Sequence, residues 1–208
     1  MRTVFLFLVV LQFIALVACI GAAASFWMDG AAVVAQARHG GVLARPLPRA
    51  PLTPLEHTIA LDQFAQTWGA RAFPCRTAAL LWRDVSDPDW APPAMPASQR
   101  LATAIMGARR ATSIRWQIRR LIVACQLERD YDDAQMLRAW LPTAEFGDNM
   151  TGAEAAAQAV FQKPAASLAP DEAARLAALL HQPSLHNQPE RWAEQARAIE
   201  LRVAELSR

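Results

Sequence analysis

Between Thr3 and Trp27 the chain carries no charged side chain, and this run constrains the architecture more than any other feature. About twenty apolar residues suffice to cross the hydrocarbon core of a bilayer. The run is therefore a membrane span or a secretory signal. It continues past any small-residue cleavage site into Phe26-Trp27-Met28, and a tryptophan at the end of such a run is typical of a membrane boundary. These features favour an uncleaved N-terminal anchor over residues 1–28. The alternative is a lipoprotein signal, because Leu16-Val17-Ala18-Cys19 is an acceptable lipobox. Arg2 on one side and Asp29 with Arg38 on the other are too sparse to orient the span by charge.

Beyond the anchor, residues 29–54 read as a spacer, since Pro46, Pro48, Pro51 and Pro54 forbid a continuous helix there. The remaining residues, 55–208, are enough for one domain with its own core. Within them apolar residues recur at helical period over residues 55–68 and 113–129. Asp132 and Asp133 open a helix that Pro142 stops, and Pro170 and Pro189 stand at first helical positions. Ser98 reads as an N-cap, and Thr151-Gly152-Ala153-Glu154 as a capping box. No strand-like alternation appears, so the expected body is all-α.

Charge is nearly balanced, Lys163 is the only lysine, and no basic run is interleaved with aromatics. Neither a Walker loop nor a glycine-rich nucleotide fingerprint is present, which argues against nucleic-acid and nucleotide functions. His39, His57, His181 and His186 are scattered and no Cys-x-x-Cys occurs, so no metal site is expected. Cys75 and Cys125 either pair in an oxidising compartment or remain two separately buried thiols.

From Tyr131 to Pro183 a set of fixed spacings stands out: Met136-Leu137, Trp140-Leu141, Phe146-Gly147, Gly152, Ala155-Ala156, Val160-Phe161, Lys163-Pro164, Leu168, Glu172-Ala173-Ala174, Leu176-Ala177 and Pro183-Ser184. This pattern resembles the C-terminal half of the family-51 peptidoglycan glycosyltransferase domain, shared by bifunctional penicillin-binding proteins and monofunctional transglycosylases. The resemblance implies a lysozyme-like, all-α lobe on an N-terminal transmembrane helix, in the bacterial inner membrane with a periplasmic body. No transpeptidase domain is expected to follow.

In that family one carboxylate lies in an E-D-x-x-F-x-x-H-x-G motif and a second in R-K-x-x-E. Aligned on Leu127-Glu128, the second motif falls on Trp116-Gln117-Ile118-Arg119-Arg120, with Arg120 in place of glutamate. Upstream, Arg83 takes the position of the base and Asp84 that of its acidic neighbour. The family's S-T-I-T-Q-Q-L-A falls on residues 95–102, keeping Ser98 and Gln99, while its later Lys and Asn become Asp133 and Pro142. Glycosyl transfer to a sugar hydroxyl needs a proton acceptor, and a guanidinium cannot serve as one. The expectation is therefore a catalytically degenerate relative that binds lipid-linked glycan or the wall-synthesis proteins. Ser98, Gln99, Arg115, Arg119 and Arg120 are its candidate binding residues. Arg109 and Arg110 join them in an arginine cluster that also reads as a solvated helix face. The alternatives are an active polymerase using Asp84 with Mg2+ or Mn2+, and a lipoprotein accessory factor. Lys163, Glu172 and Glu154 read as packing and capping residues.

Overall fold

The computed structural model describes residues 2–43, 50–70, 72, 75–86, 95–107 and 113–208, and within them every side chain except those of residues 2–9, 81 and 84–86. Helices α1 (Arg2–His39), α2 (Pro54–Phe64), α3 (Arg76–Ser86), α4 (Ala97–Met106), α5 (Ile114–Asp130), α6 (Asp133–Trp140), α7 (Ala153–Phe161), α8 (Pro170–His181) and α9 (Pro189–Leu206) follow in order. Short 3-10 turns punctuate the second half. Among the described residues there is no strand, only an isolated bridge between Glu145 and Thr151. The body is all-α, and among the described residues one helix is long and apolar enough to cross a membrane.

At about 1.5 Å per residue, α1 is roughly 57 Å long. Its apolar side chains from Val10 to Ile20 are exposed, while Val34 and Ala37 near its end are buried against the body. Residues 29–39, counted with the spacer in the sequence, are helical. Gly30 marks the closest approach to α5: a Cβ there would lie 2.8 Å from Ile122 Cγ2. Around it, Gln126 Nε2 donates to the Trp27 carbonyl at 2.8 Å, Arg119 pairs with Asp29 at 3.1 Å, and Arg38 pairs with Asp130 at 2.7 Å.

Helix α8 is the centre of the core. Ala173, Ala174, Leu176, Ala177, Ala178 and Leu179 are all buried, as expected of a helix covered on several sides. Its alanines let α2 and α9 approach closely. Pro170 and Pro189 occupy first-turn positions, where a missing N–H costs nothing. Asp132 caps α6 in a reciprocal capping box with Gln135. A second such box, Thr53 with Glu56, starts α2. Glu56 also pairs with Arg138 of α6, whose guanidinium donates to the Ala50 and Pro51 carbonyls. The extended chain ahead of α2 is thereby tied down.

Two expected caps form differently. Helix α7 starts from Gly152 rather than Thr151, because the chain there folds under the preceding turn with φ +94°, and a Cβ would meet the Pro142 carbonyl at 3.0 Å. Glu154 accepts the Ala165 N–H at 3.0 Å, so it caps the following turn instead of its own helix. Likewise α4 starts at Ala97 behind Pro96, and the Ser98 hydroxyl points inward. Gly147 has φ +88°, and a Cβ on it would lie 2.6 Å from the Pro183 carbonyl oxygen. A side chain at this position is excluded by both conformation and space.

Candidate functional site

Three of the candidate residues, Arg115, Arg119 and Arg120, lie on the first turns of α5. Helix α5 begins at Ser113, whose hydroxyl accepts the Trp116 N–H at 3.2 Å. Its first turns carry Arg115, Trp116, Arg119 and Arg120. Arg115 is exposed, whereas Trp116, Arg119 and Arg120 are half-buried. The Arg120 guanidinium lies 5.7 Å from the centre of the Trp116 ring, a cation-π arrangement at i, i+4 spacing. Its Nη1 reaches Met95 Sδ at 3.6 Å, which brings α5 to the start of α4. No carboxylate among the described residues pairs with Arg120, and burial lowers its pKa. A guanidinium stays protonated at neutral pH all the same.

Beside these residues a cleft of about 630 Å³ opens between α1, α4 and α5, lined by Val33, Ala37, Ile105, Met106, Trp116 and Arg119 among others. Its walls are mainly apolar. The ring N–H of Trp116 and the Nε–H groups of Arg119 and Arg120 are buried without a hydrogen-bond acceptor among the described residues. Buried donors without acceptors are uncommon in native proteins and call for an explanation. The arrangement suits an anionic group that brings an apolar tail. No group of acidic, histidine or cysteine side chains among the described residues could hold a metal ion.

Ser98 does not face this cleft. Its hydroxyl, fully buried, donates to Glu128 Oε1 at 2.6 Å, and Thr77 donates to the same oxygen at 2.8 Å. The other oxygen accepts the Arg76 N–H at 2.7 Å. Arg76 spreads its guanidinium over both oxygens of Asp133, at 2.6 and 3.0 Å, and donates to the Thr67 carbonyl. Burial works against the Arg76 charge, but Asp133 and Glu128 outweigh it and raise the pKa. Cys75 and Cys125 are joined in a disulfide that binds the start of α3 to α5 next to this network. Glu128 thus ties α3, α4 and α5 together, and it also lines a pocket with Arg76, Arg129 and Asp133. Sequence reasoning used Glu128 to set the alignment but missed this role. The partners are separated by 30 to 52 residues of chain, and nothing local connects them.

Gln99 is half-buried on α4. Asp84 belongs to α3, but its side chain lies outside the described residues, as do Arg109, Arg110 and the Asp87-Pro88-Asp89-Trp90 segment. Arg83 is exposed on α3.

A second polar cluster joins α2, α8, α9 and α4. Asp62 pairs with His181 at 2.6 Å and with Arg202, and Gln63 accepts from Arg100 at 2.8 Å. Burial raises the Asp62 pKa, but the hydrogen bond and charge of His181, with help from Gln63 and Arg202, lower it overall. Arg100 lies 5.4 Å from the Phe64 ring centre and 5.2 Å from that of Trp140. Lys163 pairs with Glu172 at 2.6 Å, and Glu172 also accepts the Ala169 N–H at 2.9 Å. Both roles are local tethering at the start of α8.

Comparison with known proteins agrees with this architecture. The chain is similar to the biosynthetic peptidoglycan transglycosylase of Alcanivorax borkumensis, 42% identical over 66 residues that make up 32% of this chain and 27% of that protein. The protein of the same name from Xanthomonas axonopodis pv. citri is 53% identical over 49 residues, 24% of this chain and 20% of the relative. The Ralstonia nicotianae protein is 43% identical over 63 residues, 30% and 27% of the two chains. The chain thus matches between 20% and 27% of the length of these curated relatives. The family model described as transglycosylase matches residues 96–206, more than half of the chain and everything from α4 to α9. By that match, the chain belongs to the transglycosylase family.

Proposed function

We propose that the protein is a membrane-tethered, non-catalytic member of the transglycosylase family that binds lipid-linked peptidoglycan precursor in cell-wall synthesis. The single observation that carries this reading is the cleft at the foot of α1. It is walled mainly by apolar residues and lined by Trp116 and Arg119, each with a buried donor that has no acceptor among the described residues, and Arg120 lies over the Trp116 ring beside it. A pyrophosphate on a long apolar tail supplies the acceptors, the negative charge and the apolar surface such a cleft lacks. Arg120 stands where the resemblance places a carboxylate, so the group that would take a sugar hydroxyl's proton is replaced by a fixed cation. Glu128, the nearby glutamate, is committed to Thr77, Ser98 and Arg76. The family resemblance adds a periplasmic body in the inner membrane. No cofactor is required for binding, and Mg2+ or Mn2+ would enter only with catalysis.

The test is binding of a fluorescent lipid-linked disaccharide precursor to the full chain in detergent, compared with Arg119→Ala and Arg120→Ala. A charge-assisted hydrogen bond is worth about 1.5–3 kcal/mol, so each variant is expected to weaken binding roughly tenfold or more. Unchanged affinity in both variants would sink the assignment of the cleft.

A further inference from the structure

The disulfide between Cys75 and Cys125 opens onto a pocket of about 520 Å³. Both half-cystines line it, with Trp68, Arg76, Glu128 and Arg129 around them. Cys75 is buried at 4% exposure, whereas Cys125 is half-buried and is the more accessible of the two.

The two sulfurs stand in different surroundings. Cys75 immediately precedes α3, and the Ala78 N–H in the first turn of that helix donates to its Sγ at 3.3 Å. Such first-turn amides have no partner within their own helix and point positive charge at the group ahead of it. Cys125 lies inside α5, where the backbone N–H groups are taken up by carbonyls one turn earlier. A thiolate at Cys75 is therefore stabilised by α3, and one at Cys125 lacks that help. Glu128 opposes an anion here, but its carboxylate is held by Thr77, Ser98 and the Arg76 N–H.

The pocket also carries a donor in search of an acceptor. The Arg76 side chain is 6% exposed, and its Nε–H is buried without a hydrogen bond, the nearest Glu128 oxygen lying 3.7 Å away. Of the carboxylates in the wall, Asp133 is engaged by the far end of Arg76, and Asp132 caps α6. That leaves the Arg76 Nε–H and the exposed Arg129 to receive an incoming thiolate.

We propose that this disulfide is a thiol–disulfide exchange site for a dithiol reductant, attacked at Cys125 and released at Cys75. A thiolate of the dithiol enters from the pocket and bonds to Cys125 Sγ. The bond between the half-cystines breaks, and its electron pair leaves on Cys75 Sγ, which then takes a proton from solvent. The second thiol of the reductant displaces the mixed disulfide, so that the reductant closes its own disulfide and Cys125 is left as a thiol. The protein is reduced and the dithiol oxidised by the same pair of electrons. Opening unties α3 from α5 at one point only, since Thr77 and Arg76 still hold its start to Glu128 and Asp133. The bond can therefore re-form in place. The size of the closed loop sets what the fold loses on opening, and the surroundings of the sulfurs set where and how fast it opens. The site is separate from the cleft at the foot of α1.

The test uses the oxidised full chain carrying Cys19→Ala, in detergent near neutral pH. It is exposed briefly to excess glutathione, quenched with acid and alkylated with a maleimide, and its peptides are read by mass spectrometry. Glutathione on Cys125 with maleimide on Cys75 should exceed the reverse pair by roughly tenfold or more, as expected when one thiolate is the better leaving group. Equal or reversed placement overturns the proposal. Dithiothreitol should open the bond in the folded chain, with the far-ultraviolet circular dichroism unchanged, within about tenfold of its rate in chain unfolded by guanidinium. Opening that occurs only as the helical signal is lost overturns the site and leaves a structural crosslink. Maleimide on both cysteines of the air-oxidised chain before any thiol is added overturns it as well.

Discussion

Removing the Arg76 guanidinium should destabilise the protein by an amount the structure allows to be worked out. Its side chain is 6% exposed, those of Glu128 and Asp133 are 9% and 11% exposed, and it makes the bidentate contact with Asp133. Breaking a buried ion pair from one side costs about 3–5 kcal/mol, because a desolvated charge is left behind. Here the loss belongs near the lower end. Asp133 keeps the Gly69 N–H at 2.7 Å, and Glu128 keeps Thr77, Ser98 and the Arg76 backbone. At about 2–4 °C per kcal/mol for a protein of this size, Arg76→Ala should lower Tm by roughly 6–12 °C. Thermal melts followed by far-ultraviolet circular dichroism in detergent, with the disulfide intact, read this directly. Asp133→Ala in the Arg76→Ala background should cost little more, so the double variant loses less than the sum of the singles. A melt of Arg76→Ala within about 2 °C of the parent, on the same scale, or strictly additive losses, would refute the network as a cooperative anchor.

Replacing both Cys75 and Cys125 by serine opens a loop of 50 residues and should cost about 4 kcal/mol on the chain-entropy account, measured by denaturant unfolding; an unchanged midpoint contradicts it. Gly147→Ala places a Cβ 2.6 Å from the Pro183 carbonyl oxygen at φ +88°, so a loss of at least about 1–3 kcal/mol is expected from conformation alone; parental melting would show that this turn relaxes freely. Asp62 and Asp130 both have lowered pKa values: burial raises each, and the hydrogen bonds and charges of His181 or of Arg129 and Arg38 outweigh it. Their pairs therefore stabilise the fold above the ordinary aspartate value of about 3.9, and this contribution is lost as pH falls through the lowered native values. Asp62→Asn should flatten the acid limb of the stability profile, and an unaltered limb would show that the His181 and Arg202 contacts contribute nothing.

Much of the helical framework was legible because its signals are local. Pro170 and Pro189 start their helices, Asp132 caps α6, and the spaced apolar residues of α8 are its buried face. Gly147 and Gly152, part of the family resemblance, prove to be positions where the backbone needs positive φ and a neighbouring carbonyl leaves no room for a Cβ. The misread caps at Ser98 and Thr151 share one cause: each residue fits a local capping rule, but a long-range contact has first claim on the position. Ser98 is drawn to Glu128, and the chain at Gly152 is bent under Pro142. The course of α1 through His39 was hidden because its second half is stabilised by α5, through Gly30, Asp29 and Arg38, and not by its own pattern. The cleft was only partly legible. Arg119 stood out in the sequence, whereas Val33, Ala37, Ile105 and Met106, which give it its apolar walls, carry no chemical signal until α1 and α4 are brought beside α5.

The most direct measurement of the proposed function is to incubate the full chain in detergent with lipid-linked disaccharide precursor and Mg2+ or Mn2+, and to resolve the products on a gel beside an active polymerase. The account predicts bound precursor and no glycan strands. Strand growth would contradict it, and would place the proton acceptor at Asp84 or another carboxylate in spite of Arg120.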